Sequence, residues 1–113
     1  MSIKTERIGS NLVKEISYIL ATEIKDEDIK FVTITDCKVT NDLSFAKVYY
    51  TVLDQSRKKE TNDALKSASG YIRHLLHDRV DIRHIPELTF VYDESIEYGK
   101  KIENIIEEIH KKK

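Results

Sequence analysis

A chain of 113 residues with 40% apolar and 35% charged side chains has the length and composition of one globular domain, spanning residues 1–113. Three glycines and one proline exclude long linkers and a multi-turn all-β fold, and no apolar run approaches the roughly 18 residues of a membrane span. The single cysteine excludes an internal disulfide, and early acidic residues do not fit a signal peptide. We therefore expect a cytoplasmic protein without a membrane partner.

The net charge of −1 conceals an uneven distribution along the chain. Residues 57–84 hold seven Lys and Arg against four Asp and Glu, together with three histidines, whereas the segments on either side are net negative. Because salt screens exposed charges beyond about 10 Å, a local basic patch can bind phosphates even on a nearly neutral protein. The sequence therefore points to residues 57–84 as the segment most suited to phosphate binding.

Periodicity predicts an amphipathic helix over about residues 4–23, followed by two strands over about 30–40 and 43–53. The apolar stripe of this helix consists of Ile8, Leu12, Ile16, Ile19 and Leu20. Asn41-Asp42 is a turn signal, so the two strands should form an antiparallel hairpin. The second strand carries large apolar groups on both faces, which predicts a central place in the sheet.

Residues 57–79 return to a helical period, with Gly70 inside the pattern. Because a glycine in mid-helix costs about 1 kcal/mol relative to alanine, we expect two helices joined at a kink near Gly70. Pro86 ends the helical pattern, and alternation from Leu88 to Tyr92 predicts a third strand.

A last helix is expected from Asp93 onward, with an apolar stripe of Ile102, Ile105, Ile106 and Ile109. The element order is then αββααβα. It predicts an α+β fold with a three-stranded mixed sheet, helices on one face and a right-handed crossover between the second and third strands.

Four basic residues fall within about 40° of one another on a helical projection, about 130° from the apolar stripe of residues 57–79. They are Lys59, Lys66, Arg73 and His77. They could share one exposed, phosphate-binding flank. The alternative interpretation is an ordinary solvated helix face, which charge alone favours.

Catalytic and metal chemistry find little support in the sequence. His74, His77 and His84 could suggest a metal site, but the spacing of His74 and His77, with no nearby cysteine or fixed third ligand, is weak evidence for one. Surface histidines that supplement the basic patch are therefore expected. The carboxylates that follow Tyr92 are more typical of a helix N-terminus than of an acid–base pair. Cys37 has no evident activating partner. We expect no enzymatic activity, no cofactor and no small-molecule substrate.

Two segments, residues 64–76 and 86–99, resemble the ribosome-binding factor A family. The first contains Ser67-Ala68-Ser69-Gly70-Tyr71-Ile72-Arg73, and the second contains Tyr92-Asp93-Glu94-Ser95. The strand with Ala46-Lys47-Val48-Tyr49 also fits, so the resemblance spans nearly the whole chain. The element order agrees with that of the family.

The resemblance implies a type II K-homology (KH) fold and a role in late maturation of the small ribosomal subunit, with greatest need in the cold. It implies free 30S subunits and 16S rRNA as partners. Ala68-Ser69-Gly70 stands where RNA-binding KH domains carry a G-x-x-G loop, so binding should depend on charge and shape more than on base readout. Asp26-Glu27-Asp28 replaces the Asp-Pro-Arg common in relatives, which argues against an RNA contact there.

The candidate RNA-binding residues are Lys59, Lys66, Ala68, Ser69, Gly70, Arg73, His77, Arg79 and Arg83. A surface on the first helix around Lys4, Arg7 and Lys14 is the alternative. We expect a monomer. The alternative function is a protein–protein interaction domain without direct RNA contact, acting through a sheet edge or the isoleucine-rich last helix.

Overall fold

The computed structural model describes residues 3–95, which form two α-helices and one three-stranded sheet. The elements in chain order are α1 (Ile3–Thr22), β1 (Val32–Val39), β2 (Phe45–Val52), α2 (Lys58–Leu76) and β3 (Glu87–Tyr92). Short 3-10 helices precede β1 and α2, at Glu27–Ile29 and Gln55–Arg57. This confirms the predicted α+β class.

The sheet has β2 at its centre, antiparallel to β1 and parallel to β3. The predicted mixed sheet and the central position of β2 are therefore confirmed. A parallel neighbour cannot be reached through a tight turn, and α2 provides the long connection that the parallel pair needs.

The core lies between the helices and one face of the sheet. The apolar stripe of α1 is buried, and so are Leu65, Ile72 and Leu76 of α2. Alternate residues of β2 contribute Ala46, Val48, Tyr50 and Val52 to the core. On the opposite face of β2, Phe45 and Lys47 are exposed while Tyr49 and Thr51 are half-buried.

Helix α1 approaches β1 closely at Gly9. A Cβ atom built on Gly9 would lie 2.4 Å from the backbone oxygen of Cys37, far inside any allowed contact. Only glycine therefore permits this separation between helix and strand.

A β-bulge interrupts β1 between Ile34 and Asp36. The extra residue, Thr35, shifts the alternation, so that both Ile34 and Cys37 point into the core although they are three residues apart. The Thr35 hydroxyl donates to Asp93 Oδ2 at 2.6 Å, which ties the first strand to the residue that follows β3. Simple alternation in the sequence did not predict this bulge.

Three Asp-x-Ser turns stand at the boundaries between elements. Asp42, Asp54 and Asp93 each accept a hydrogen bond from the backbone N–H of the serine two residues later, at 3.0 Å. These turns follow β1, precede α2 and follow β3. They fix the chain where it changes direction.

The sequence predicted two helices joined at a kink, whereas the structure has a single helix, α2. It runs without a break from Lys58 to Leu76, through Gly70. A glycine lowers helix propensity but keeps its N–H, so the backbone hydrogen bonds continue across it. Glu94 and Ser95 are helical, whereas the rest of the predicted last helix and its isoleucine stripe lie outside the described residues.

Candidate nucleic-acid interface

The candidate interface is the exposed flank of α2. Burial of Leu65, Ile72 and Leu76 fixes which side of the helix faces the sheet. Lys59, Lys66 and the helix-ending His77 are all exposed. Because α2 is uninterrupted, their spacing of 7 and 11 residues brings the three side chains to one side of the helix, over about 27 Å of its length. We call Lys59, Lys66, Gly70 and His77 the α2 flank.

Gly70 lies within the α2 flank and has no packing role among the described residues. It is exposed, and a Cβ atom built on it would meet no atom of residues 3–95 within 4 Å. Among residues 3–95, the helical glycine that allows a close backbone approach is Gly9 in α1.

The two residues before Gly70 are less accessible than Gly70 itself. Ala68 is half-buried against the core. Ser69 is also half-buried, and its hydroxyl donates to the Lys66 carbonyl at 2.8 Å within the helix. Of the Ala68-Ser69-Gly70 segment, only Gly70 therefore presents an open surface to a partner.

Arg73 holds parts of the fold together and contributes little to an open surface. Its Nε and Nη2 atoms both donate to the carbonyl oxygen of Ile85, at 3.1 and 2.8 Å. The side chain is half-buried, and it ties α2 to the segment that leads into β3. Two of its donors are thus already used, which leaves less of the guanidinium for phosphate than the sequence suggested.

Arg79 also contacts the protein itself, on the side of α1. Its guanidinium donates to Glu23 at 3.1 Å, lies 3.9 Å from a carboxylate oxygen of Glu15 and stacks 4.9 Å from the Tyr18 ring centroid. Arg83, in contrast, is exposed. The structure therefore leaves four of the nine candidates open on the α2 flank, whereas Arg73 and Arg79 hold elements together, Ala68 and Ser69 are half-buried, and exposed Arg83 lies beyond the end of α2.

The acidic corner before β1 is paired with α2. Asp28 forms an ion pair with Arg57, the residue just before the helix. This contact raises the pKa of Arg57, first through the hydrogen bond and then through the charge of Asp28. The corner that the sequence marked as unfavourable for RNA thus carries its own basic partner.

The side chains considered for catalysis lie in surroundings that suit a structural role. Burial, with a smaller contribution from Asp36, raises the pKa of the Cys37 thiol to about 12, so the thiolate nucleophile is absent near neutral pH. Hydrogen bonds from Ser95 and Thr35 lower the pKa of Asp93, which caps the turn after β3. Residues 3–95 bring together no group of three His, Cys, Asp or Glu side chains able to hold a metal ion.

A row of side chains on the open face of β2 was not singled out from the sequence. In the sequence, Phe45, Lys47 and Tyr49 indicated a central strand, and Lys47 and Tyr49 also belonged to the segment that resembles the family, but none was considered for binding. The alternation aromatic–lysine–aromatic could have marked them, because a strand places such residues side by side on one face.

The family comparison agrees with the resemblance seen in the sequence. The family model "Ribosome-binding factor A" matches residues 4–106. Proteins named ribosome-binding factor A are similar to the chain: one from Staphylococcus epidermidis is 50% identical over 97% of this chain and 96% of its own. One from Macrococcus caseolyticus is 44% identical over the full length of both chains.

Solved structures show a similar fold. A crystal structure of ribosome-binding factor A from Thermus thermophilus has a TM-score of 0.68 at 22% identity, covering 78% of this chain and 94% of its own. A model of the Thermus protein fitted into a cryo-EM map of a 30S complex has a TM-score of 0.62 at 20% identity, covering 84% of this chain and 97% of its own.

Neither described helix combines the length and the apolar composition that a membrane crossing requires. The match to the family model runs through every described element, and the relatives that are about half identical align with nearly the whole sequence. The chain therefore belongs to the ribosome-binding factor A family.

Proposed function

We propose that this protein binds the free 30S ribosomal subunit through 16S rRNA and promotes its late maturation, including 16S rRNA processing. The need for it is greatest during growth in the cold. It acts in the cytoplasm as a monomeric, non-catalytic assembly factor with a single domain of the KH type, spanning residues 1–113. The observation that carries this proposal is family membership over nearly the whole chain. A Thermus relative fitted into the map of a 30S complex supports the partner.

The α2 flank is the surface proposed to contact rRNA. Lys59 and Lys66 provide exposed ammonium groups for phosphate oxygens, a contact that depends little on base sequence. Gly70 lies beside them without a side chain, so a sugar–phosphate backbone can come within van der Waals distance of the helix there. Such a contact explains a glycine that lowers helix propensity and fills no packing role among residues 3–95.

The two arginines that hold elements together act indirectly in this proposal. Arg73 and Arg79 fix α2 and the segment after it against the rest of the domain. Their contribution to binding is to keep the flank in place, and the direct phosphate contacts come from the two exposed lysines and His77. Only a small number of phosphates is then neutralised, which predicts a moderate dependence on salt.

The proposal is tested by co-sedimentation with purified free 30S subunits over a salt series. The Lys59→Ala, Lys66→Ala double variant should bind more weakly and lose about two units of salt slope, because each neutralised phosphate contributes about one unit. The matched control is the Lys4→Ala, Lys14→Ala pair on α1, which removes two other exposed lysines. Loss in the control pair alone would move the contact to α1.

A protein-interaction domain is the second candidate, and one apolar surface favours it. Phe31 and Leu53 are 59% and 76% exposed and are joined by a hydrogen bond from Leu53 N to Phe31 O at 3.2 Å. Apolar docking changes little with salt, whereas binding through even a few phosphates weakens measurably as salt rises. Wild-type binding to 30S subunits that is equal at low and high salt would support this second candidate against the first.

A further inference from the structure

The open face of the sheet carries an aromatic–lysine–aromatic row on its central strand. Phe45, Lys47 and Tyr49 alternate with buried residues of β2, so their side chains leave the sheet on the side opposite the helices. Phe45 is 54% exposed, a large fraction for a phenylalanine on a central strand, and Lys47 is exposed beside it. The two rings are four residues apart, about 13 Å along the strand.

A second lysine lies beside this row. Lys38 of β1 is the direct cross-strand partner of Lys47, and like charges in that position destabilise a sheet. The Lys38 ammonium also lies 5.8 Å from the Tyr49 ring centroid. Two exposed lysines in directly paired positions are suited to an anion, which would reduce their repulsion.

Acidic groups occupy the neighbouring rows of the same face. Asp36 pairs across the strands with Tyr49, and its carboxylate accepts the N–H of Cys37 at 2.8 Å. Glu87 of β3 pairs with Phe45. The face as a whole is therefore balanced in charge, with its positive groups confined to the middle. Charge alone would hold an anion weakly here, so the exposed Phe45 ring and the half-buried Tyr49 ring must supply much of the binding.

We propose that Lys38, Phe45, Lys47 and Tyr49, together called the sheet platform, bind a segment of single-stranded RNA. Two bases stack on Phe45 and Tyr49, a phosphate lies between the two lysines, and the spacing of the rings leaves room for one nucleotide between the stacked bases. Stacking on aromatic residues with cations nearby is how sheet surfaces hold unpaired bases. Paired bases in a duplex are unavailable for this contact. The inference rests on the proposed function and adds a second contact, for unpaired RNA, to the same protein.

The test measures fluorescence anisotropy of the full chain with two labelled RNAs, an oligouridine of about ten nucleotides and a duplex of the same length. Phe45→Ser and Tyr49→Ser should each weaken oligouridine binding about tenfold and leave duplex binding unchanged. Phe45→Tyr and Tyr49→Phe should keep wild-type affinity, because they retain the rings. Phe31→Ser removes a ring of similar exposure outside the platform and should change neither affinity.

Each other outcome has a distinct meaning. If both serine variants bind oligouridine as tightly as wild type, the inference is overturned. The proposed function is unaffected by that result if the Lys59→Ala, Lys66→Ala variant still loses 30S binding. Serine variants that melt well below wild type yet bind RNA normally would show that the open face is covered by protein, either another part of this chain or a second copy. That result also overturns the inference. A wild-type chain that binds neither RNA at low salt would refute the rRNA contact of the proposed function itself.

Discussion

Among residues 3–95, two glycines lie in helices, Gly9 and Gly70, and they occupy opposite environments. Gly9 is buried where α1 meets β1, and an added Cβ would overlap the Cys37 carbonyl oxygen. Gly70 is exposed in the middle of α2, and an added Cβ would meet no atom of the described chain within 4 Å. A sequence shows both only as breaks in helix propensity, so their different roles appear only in three dimensions.

The same substitution should therefore have opposite effects at the two positions. Gly70→Ala should raise the free energy of unfolding by up to about 1 kcal/mol, since alanine is the better helix former and no atom of residues 3–95 obstructs its Cβ. Gly9→Ala should lower the free energy of unfolding by about 1–3 kcal/mol, because α1 must shift away from β1. Urea unfolding of both variants measures this. A loss of stability in Gly70→Ala would contradict the open environment assigned to that residue.

Arg73 differs from the lysines of the same helix because its guanidinium is held by Ile85. Arg73→Ala should lower the free energy of unfolding by about 1.5–3 kcal/mol, through loss of two charged hydrogen bonds to the carbonyl of buried Ile85. Arg73→Lys should rescue little, because an ammonium cannot reproduce the two-pronged contact. The control is Lys59→Ala, Lys66→Ala, which should change stability by less than about 1 kcal/mol. Thermal melting of the three variants compares them, and an Arg73→Ala melting curve like that of wild type would exclude this structural role.

At the scale of elements, hydrophobic periodicity predicted most of the fold. The apolar stripe of α1 and the central position of β2 are as expected, because burial in these elements follows a regular period of 3.6 or 2 residues. The bulge at Thr35 could not be predicted, since it replaces a regular period with a single irregular step. The division of α2 at Gly70 was predicted from propensity alone, and tertiary packing on both sides of the glycine overrides that preference.

The candidate interface was predictable to a lesser degree. Helical spacing correctly grouped Lys59, Lys66 and His77 on one side of α2, because their separation depends only on helix geometry. The contacts of Arg73 with Ile85 and of Arg79 with Glu23 join residues 12 and 56 positions apart. No local pattern encodes contacts over such separations, and the structure was needed to show that these arginines are already engaged.

At the scale of the whole molecule, the Asp-x-Ser turns link stability to pH. Hydrogen bonds from the following serines are the main cause that lowers the pKa of Asp42, Asp54 and Asp93, and Thr35 adds to the effect at Asp93. A carboxyl whose pKa is lower in the folded state contributes stability that is present above its unfolded pKa of about 3.9 and is lost as pH falls through the folded value.

We therefore expect the free energy of unfolding to fall steadily as pH drops below about 4. Asp93→Asn removes one of the three carboxyls, so it should make this decline less steep while keeping an amide oxygen that can accept the Ser95 N–H. Urea unfolding at a series of pH values between about 2 and 6 measures the slope. A slope in Asp93→Asn as steep as that of wild type would mean that this carboxyl does not titrate with folding.

The parallel pairing of β2 with β3 has a consequence for how the chain assembles. The β1–β2 hairpin closes a short loop and can form early. In contrast, the whole of α2 and its flanking segments separate β3 from β2 along the chain, so this parallel pair closes a long loop. Closing that long loop costs conformational entropy before any contact is gained. The edge of β2 therefore remains unpaired until late in folding, and during that interval it is open to pairing with a strand of another molecule.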